Sequence, residues 1–167
     1  SLIVGATIYF FRRRRIDPGL IAQLESRDIV PAFDIALREA TGWIFCGNRG
    51  RYLRSKVLPT LSMKHGTFSV DAILTNPTNV VACSKFAEHK SVTIAQDEPG
   101  SWVTERVQAE ILSAIVVCAW FTRYPTLSIK LYLRESFSPI RLDSNLQTSF
   151  LTVENKRESC LRFRTGH

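Results

Sequence analysis

The sequence predicts an α/β protein in which helices pack on the faces of a mixed β-sheet. Short apolar runs typical of strands are interleaved with longer segments of helical periodicity. After residue 126 several strand-like runs follow one another without a helix, so the sheet is expected to be mixed rather than wholly parallel. The composition is globular, with 45% hydrophobic and 22% charged residues among 167. That is enough apolar material for one domain with a core.

The first segments of the domain are predicted to be helical. Residues 20–26 (LIAQLES) follow a break at residues 17–19 (DPG), and residues 28–42 (DIVPAFDIALREATG) continue a helical pattern. This second pattern includes a short helix that is expected to end near Gly42, because glycine is favoured just after the last turn of a helix.

A strand–helix–strand unit comes next. Residues 42–47 (GWIFCG) form a short apolar strand, and residues 48–66 (NRGRYLRSKVLPTLSMKHG) have apolar side chains at helical spacing. Residues 68–77 (FSVDAILTNP) alternate and then become continuously apolar, which favours a buried strand. A parallel, right-handed crossover between the two strands is expected.

Two helices and a series of strands complete the predicted fold. Residues 78–90 form a short helix that Thr78 or Asn79 caps, and residues 98–125 form a long one that we interpret as a buried core helix. Its wide apolar stripe comprises Trp102, Val103, Val107, Ile111, Leu112, Ile115, Val116 and Ala119. The strand-like runs are residues 127–136, two strands within residues 138–155 that turn at Asp143 to Asn145, and residues 159–164.

The amino-terminal residues predict the end of a transmembrane helix. An almost wholly apolar run covers about half of the ~20 residues that span a bilayer, and four arginines follow it like a stop-transfer flank. A buried element followed by a basic surface turn is the alternative. The membrane interpretation places residues 16–167 in the cytoplasm and makes membrane lipid a partner. Its residues are Leu2, Ile3, Val4, Ile8, Tyr9, Phe10, Phe11, Arg12, Arg13, Arg14 and Arg15.

Charge and cysteine usage argue against two classes of function, general nucleic-acid binding and zinc binding. The net charge is +7, and the four consecutive arginines leave only +3 on residues 16–167, which weakens a general nucleic-acid interpretation. The four cysteines are far apart in sequence, so they predict reduced thiols rather than a zinc site. No metal and no cofactor are predicted. None of the three histidines stands beside an evident nucleophile.

One group of residues predicts an anion site. A strand ends at Gly47 and a helix begins soon afterwards, and free amides at a helix start can bind an anion beside arginines. A second polar turn follows the next strand, at the edge where open sheets bind ligands. The alternatives are a tight turn with solvated arginines and a structural asparagine. The candidate residues are Gly47, Asn48, Arg49, Gly50, Arg51, Asn76 and Arg141.

The segment IFCGNRGRYLRSKVLPTLSMKHGTFSVDAILTNP resembles the first strand–helix–strand unit of the phospholipase D-like superfamily. SIKLYLRESFSPIRLDSNLQTSFL resembles the closing strands of that fold, where the H-x-K-x4-D motif lies in active members. The resemblance covers about residues 32 to 155. This chain has SPIRLD at the corresponding place, with Arg141 and no histidine, so the resemblance implies a degenerate, non-catalytic member.

These observations predict three segments: the membrane end and basic flank (residues 1–15), a linker or helix (16–31) and a phospholipase D-like α/β domain (32–167). The function we expect is that of a membrane-anchored cytosolic sensor or effector. It would bind a phosphate-containing ligand, with a nucleotide or nucleic acid as candidates, or a protein partner or second copy. Its layout resembles that of bacterial anti-phage defence effectors. The alternatives are a phosphodiesterase or lipid hydrolase completed by a partner chain, and an interaction scaffold.

Overall fold

The computed structural model describes residues 19–94, 102–153 and 160–164. Within these ranges seven strands form one sheet in the order β1-β7-β6-β5-β2-β3-β4, and four α-helices accompany it. A π-helical turn, Leu53–Val57, leads directly into the second helix. The strands are β1 (Gly19–Leu24), β2 (Gly42–Cys46), β3 (Phe68–Thr75), β4 (Leu127–Arg134), β5 (Ile140–Ser144), β6 (Thr148–Val153) and β7 (Cys160–Arg164). The helices are α1 (Ser26–Glu39), α2 (Leu58–Ser62), α3 (Val80–Ile94) and α4 (Thr104–Phe121).

The sheet is mixed, as the sequence predicts. Strands β2, β3 and β4 are parallel, with Phe45 opposite Ala72 and Ala72 opposite Leu131. Strand β5 runs antiparallel to β2, and β6, β7 and β1 continue the antiparallel part. The expected parallel connection between β2 and β3 is therefore confirmed. It brings the carboxyl ends of the parallel strands to the edge where β5 begins.

The helical prediction for residues 20–26 is wrong. This segment contains β1, which pairs antiparallel with β7. Because the partner strand is so distant in sequence, the residues around β1 carry no local signal of the pairing. In the folded chain this pairing outweighs the weak helical pattern of residues 20–26. The next helix is also longer than expected, because it runs from Ser26 to Glu39 with Pro31 inside it. The predicted boundary between residues 31 and 32 lies within that helix, and Gly42 begins β2 instead of ending a helix.

The core lies against one face of the sheet. Trp43 and Phe45 on β2 are buried, and Phe33 from α1 packs on them, with its ring centre 6.4 Å from that of Trp43 and 4.5 Å from that of Phe150. Leu53, Val57 and Leu61 are fully buried along the helical segment that follows β2, as its apolar spacing predicts. This apolar layer fixes the start of the helical segment above the end of β2.

The prediction that α4 is buried holds for one side of it only. Val107, Ile111 and Cys118 are buried, whereas Leu112 and Val116 are 51% and 66% exposed. In the described part of the chain no helix has the length and apolar character needed to cross a membrane. The membrane prediction for residues 1–15 falls outside the described residues.

Candidate anion-binding site

A cleft of about 370 Å³ lies at the carboxyl end of β2. It is formed by the turn after β2, the start of the helical segment, α1, and the first residues of β5. Five of its side chains are cationic, and one carboxylate, Asp34, faces them. The lining residues are Val30, Asp34, Phe45, Arg49, Gly50, Arg51, Tyr52, Ser55, Lys56, Lys90 and Arg141.

Two glycines give this turn its shape. A Cβ on Gly47 would lie 2.5 Å from the Phe45 ring and 3.1 Å from the Arg141 side chain, so a larger residue would force the ring to shift and would crowd the arginine. Gly50 has φ +65, and a Cβ there would lie 3.0 Å from Leu74. The left-handed conformation and the close contact both favour glycine. These backbone constraints place Arg49 and Arg51 on either side of Gly50 at the cleft.

Arg49 is held in place by an ion pair and by aromatic rings. Its Nη1 donates to Glu110 Oε2 at 2.8 Å, and its guanidinium lies 4.6 Å from the Trp102 ring centre and 5.2 Å from that of Phe86. The side chain is 12% exposed. A guanidinium fixed by a carboxylate and two ring faces is preorganised for a further contact.

Arg141 is held by a buried carboxylate on its own strand. Its Nε donates to Asp143 Oδ2 at 2.6 Å, and Trp43 Nε1 donates to Asp143 Oδ1 at 3.2 Å. Burial raises the pKa of Asp143, although Arg141 and the Trp43 hydrogen bond act in the opposite direction. Arg141 therefore stabilises the ionised carboxylate of Asp143, which burial disfavours.

Tyr52 adds a hydrogen-bond donor to the cleft. Its hydroxyl is buried and has no hydrogen-bond partner among the residues that the structure describes. Burial raises the pKa of this hydroxyl, and the carboxylates of Asp34 and Asp143 raise it further. The group is consequently protonated at neutral pH, so it can donate to an anion but cannot act as a base there.

The structure brings together five of the seven residues that the sequence singles out. Arg49, Gly50, Arg51 and Arg141 line the cleft, and Gly47 shapes it. Asn48 instead points away, because its side chain is buried and bonds to Thr75, Arg134 and Ser138.

Asn76 also lies outside the cleft lining. Its Nδ2 donates to Glu135 Oε1 at 2.7 Å, and its Oδ1 accepts from the backbone N–H and the hydroxyl of Thr78. These bonds close the turn after β3 without a ligand. Asn79 caps α3 as expected, since its Oδ1 accepts from Ala82 N at 3.0 Å.

Sequence reasoning missed several lining residues. Tyr52, Ser55 and Lys56 share one side of a helical turn, so their spacing of three and four was a usable signal. Lys90 comes from α3, and no local pattern connects it with β2.

Two other surface depressions, of about 460 and 540 Å³, have at most one cationic side chain in their lining. Among the described residues no group of three potential metal ligands is close enough to hold an ion.

Comparisons with known proteins identify no family. No family model matches the chain, and no curated protein is significantly similar to it. Among solved structures the fold is similar to that of TrmBL2, described as an archaeal chromatin protein that shows a novel mode of DNA binding, with a TM-score of 0.46 and 10% sequence identity. The match covers 98% of this chain and 55% of TrmBL2, so the chain spans about half the length of that protein. At this level of similarity neither the fold assignment nor the DNA binding of TrmBL2 is transferred to this chain.

Proposed function

We propose that the chain is a membrane-anchored sensor or effector domain, without catalytic activity, whose cleft binds a phosphate-containing ligand. The convergence of five cationic side chains on one cleft carries the proposal. Arg51 and Lys56 are exposed, so an incoming ligand meets them first. Guanidinium groups bind phosphate oxygens through paired hydrogen bonds, and the Tyr52 hydroxyl adds a neutral donor. A nucleotide or the end of a nucleic acid fits the same chemistry.

The absence of catalysis is proposed on the chemistry of the lining. The cleft lining contains no histidine, and the side chain of His89 lies against Phe137, with ring centres 5.4 Å apart. The covalent step of the phospholipase D-like reaction needs a histidine nucleophile. If the fold is phospholipase D-like, as the sequence resemblance implies, the chain is a degenerate member without catalysis, and we keep this as part of the proposal. An accompanying role in defence stays a prediction from the layout of the chain.

Membrane anchoring is the second part of the proposal, and it rests on the apolar run and four arginines of residues 1–15. The full-length protein is expected to sediment with membranes and to stay there through a wash at high salt, because apolar insertion is not screened by ions. Complete release by salt alone would show surface attraction instead of insertion.

Ligand binding is tested with Arg51→Glu and Lys56→Glu. Each reversal places a negative charge at the mouth of the cleft, so the affinity for inorganic pyrophosphate, ATP or a short oligonucleotide is expected to fall at least tenfold in titration calorimetry. Because both side chains are exposed, the free energy of unfolding should change by no more than about 0.5 kcal/mol.

Arg38→Glu is the matched control, since it reverses an exposed arginine that does not line this cleft. It should leave the affinity unchanged. Equal affinities in the wild type and both cleft variants would remove the anion site and leave the interaction scaffold. Hydrolysis of a model phosphodiester that His89→Ala abolishes would instead support the enzyme.

A further inference from the structure

Helix α4 has a second apolar side that the described residues leave exposed. Its buried side contains Val107, Ile111 and Cys118, whereas Leu112 and Val116 are more than half exposed on the other side. Trp120, 54% exposed, flanks them. A helix that is apolar on both sides usually packs on both sides.

The exposed side of α4 has the spacing of a coiled-coil seam. Its residues alternate in steps of four and three, with apolar or small side chains in the middle, Glu105 at one end and, at the other, Arg123 in the turn that directly follows the helix. All six are exposed. We call this set the α4 seam: Glu105, Ala109, Leu112, Val116, Ala119 and Arg123.

We propose that the α4 seam binds the same seam of a second copy of this chain, with the two helices antiparallel. The seam is symmetric about position 114, so a two-fold axis there places Leu112 opposite Val116 of the second copy and Ala109 opposite its Ala119. The layers between the charged ends are then Ala–Ala, Leu–Val, Val–Leu and Ala–Ala, and the small outer layers allow the helices to approach closely along α4, which is about 27 Å long.

Charge complementarity selects this arrangement. In the antiparallel pair Glu105 of one copy faces Arg123 of the other, at both ends of the interface. In a parallel pair Glu105 would face Glu105, and Arg123 would face Arg123, which is unfavourable. Arg123 already lies over the Trp120 ring, 4.3 Å from its centre, so its guanidinium is positioned beside the seam.

The association is tested on the full chain in a mild detergent by sedimentation velocity over a concentration series. The wild type is expected to dimerise, and Val116→Glu should weaken the dimer at least tenfold because it places a charge in an apolar layer. Val81→Glu is the matched control: Val81 is 64% exposed on α3, against 66% for Val116, and it does not line the anion-binding cleft. A monomeric wild type, or a dimer that Val116→Glu does not weaken, would overturn the proposal.

The antiparallel alignment of the two α4 seams is tested by disulfide cross-linking. This test does not use Val116→Glu, so it remains valid if that substitution disturbs folding. Two differently tagged chains carry Ala109→Cys and Ala119→Cys. Their mixture should cross-link to the mixed dimer, because the two positions face each other within the ~7 Å that a disulfide allows. Each variant alone should match the background of the wild type, whose own cysteines are buried or half-buried. Efficient cross-linking of Ala109→Cys with itself would indicate a parallel pair and contradict the proposal.

Discussion

The turns after β2 and β3 look alike in sequence but have opposite roles in the structure. Both follow buried parallel strands and both carry polar side chains at the edge where open α/β sheets bind ligands. After β2, Arg49 and Arg51 border an open cleft. After β3, Asn76 and Asn79 hydrogen-bond to Glu135, and the turn is closed by its own side chains. The comparison teaches that a ligand site depends on where the hydrogen bonds of a turn end, not on its residue types.

The difference has a physical cause in the neighbouring strand. Strand β4 ends beside β3 and supplies Glu135, which accepts from both asparagines. Strand β5 begins beside β2 and supplies Arg141, whose charge adds to that of the first turn. One turn therefore meets a carboxylate from the end of the neighbouring strand, and the other meets a further cation. Glu110 and Asp143 already pair with Arg49 and Arg141, so an anionic ligand would add to these carboxylates and would also contact the exposed Arg51.

The largest effect is expected from Arg141→Ala, which removes the cation contributed by β5. It leaves the fully buried carboxylate of Asp143 without its ion-pair partner, so the free energy of unfolding should fall by about 3 kcal/mol. Pyrophosphate affinity should fall as well. Chemical denaturation and calorimetry measure the two effects separately.

The pH dependence of this loss identifies its cause. Arg141 lowers the pKa of Asp143, so its removal raises that pKa further. A folded-state pKa above the unfolded value makes stability fall as pH rises between the two values. The difference between wild type and variant should thus widen as pH rises from the folded-state pKa of Asp143 in the wild type, which lies above its ordinary value of 3.8, toward the higher pKa in the variant. Arg51→Ala, at an exposed position, is the control, and it should show neither the loss of stability nor the pH dependence of that loss. A loss that is independent of pH would mean that packing, not Asp143, accounts for it.

The sequence predicts most of the strands of the sheet and some of the residues that line the cleft. Strands with apolar alternation were found because that pattern is local, whereas β1 was missed because its partner begins at Cys160. The α4 stripe was predicted as core throughout, since periodicity cannot distinguish a buried face from one that awaits a partner. Asn48 and Arg49 were grouped together, yet Asn48 bonds to Thr75 and Ser138 in the interior whereas Arg49 pairs with Glu110. Both lie in the turn after β2, where neither the strand period nor the helix period predicts the direction of a side chain.

The smallest effect is expected from Asn79→Ala in the closed turn. The substitution removes the cap on Ala82 N, which costs about 1 kcal/mol of stability, and it removes one donor to Glu135. Hydrogen bonds from Asn76 and Asn79 hold the pKa of Glu135 below its usual value of 4.5. A lowered folded-state pKa contributes stability above the unfolded pKa and loses it as pH falls.

In the Asn79→Ala variant the pKa of Glu135 should consequently rise toward its usual value, and the acid-side slope of stability should flatten. A carboxyl titration by NMR measures the first, and denaturation at a series of pH values measures the second. Pyrophosphate affinity should stay at the wild-type level, because the second turn lies outside the cleft lining. A loss of affinity comparable to that of Arg51→Glu would place both turns in one site. The contrast between the two turns rests on the expectation that a turn satisfied by its own side chains has no donor left for a ligand. Such a loss of affinity would contradict that expectation.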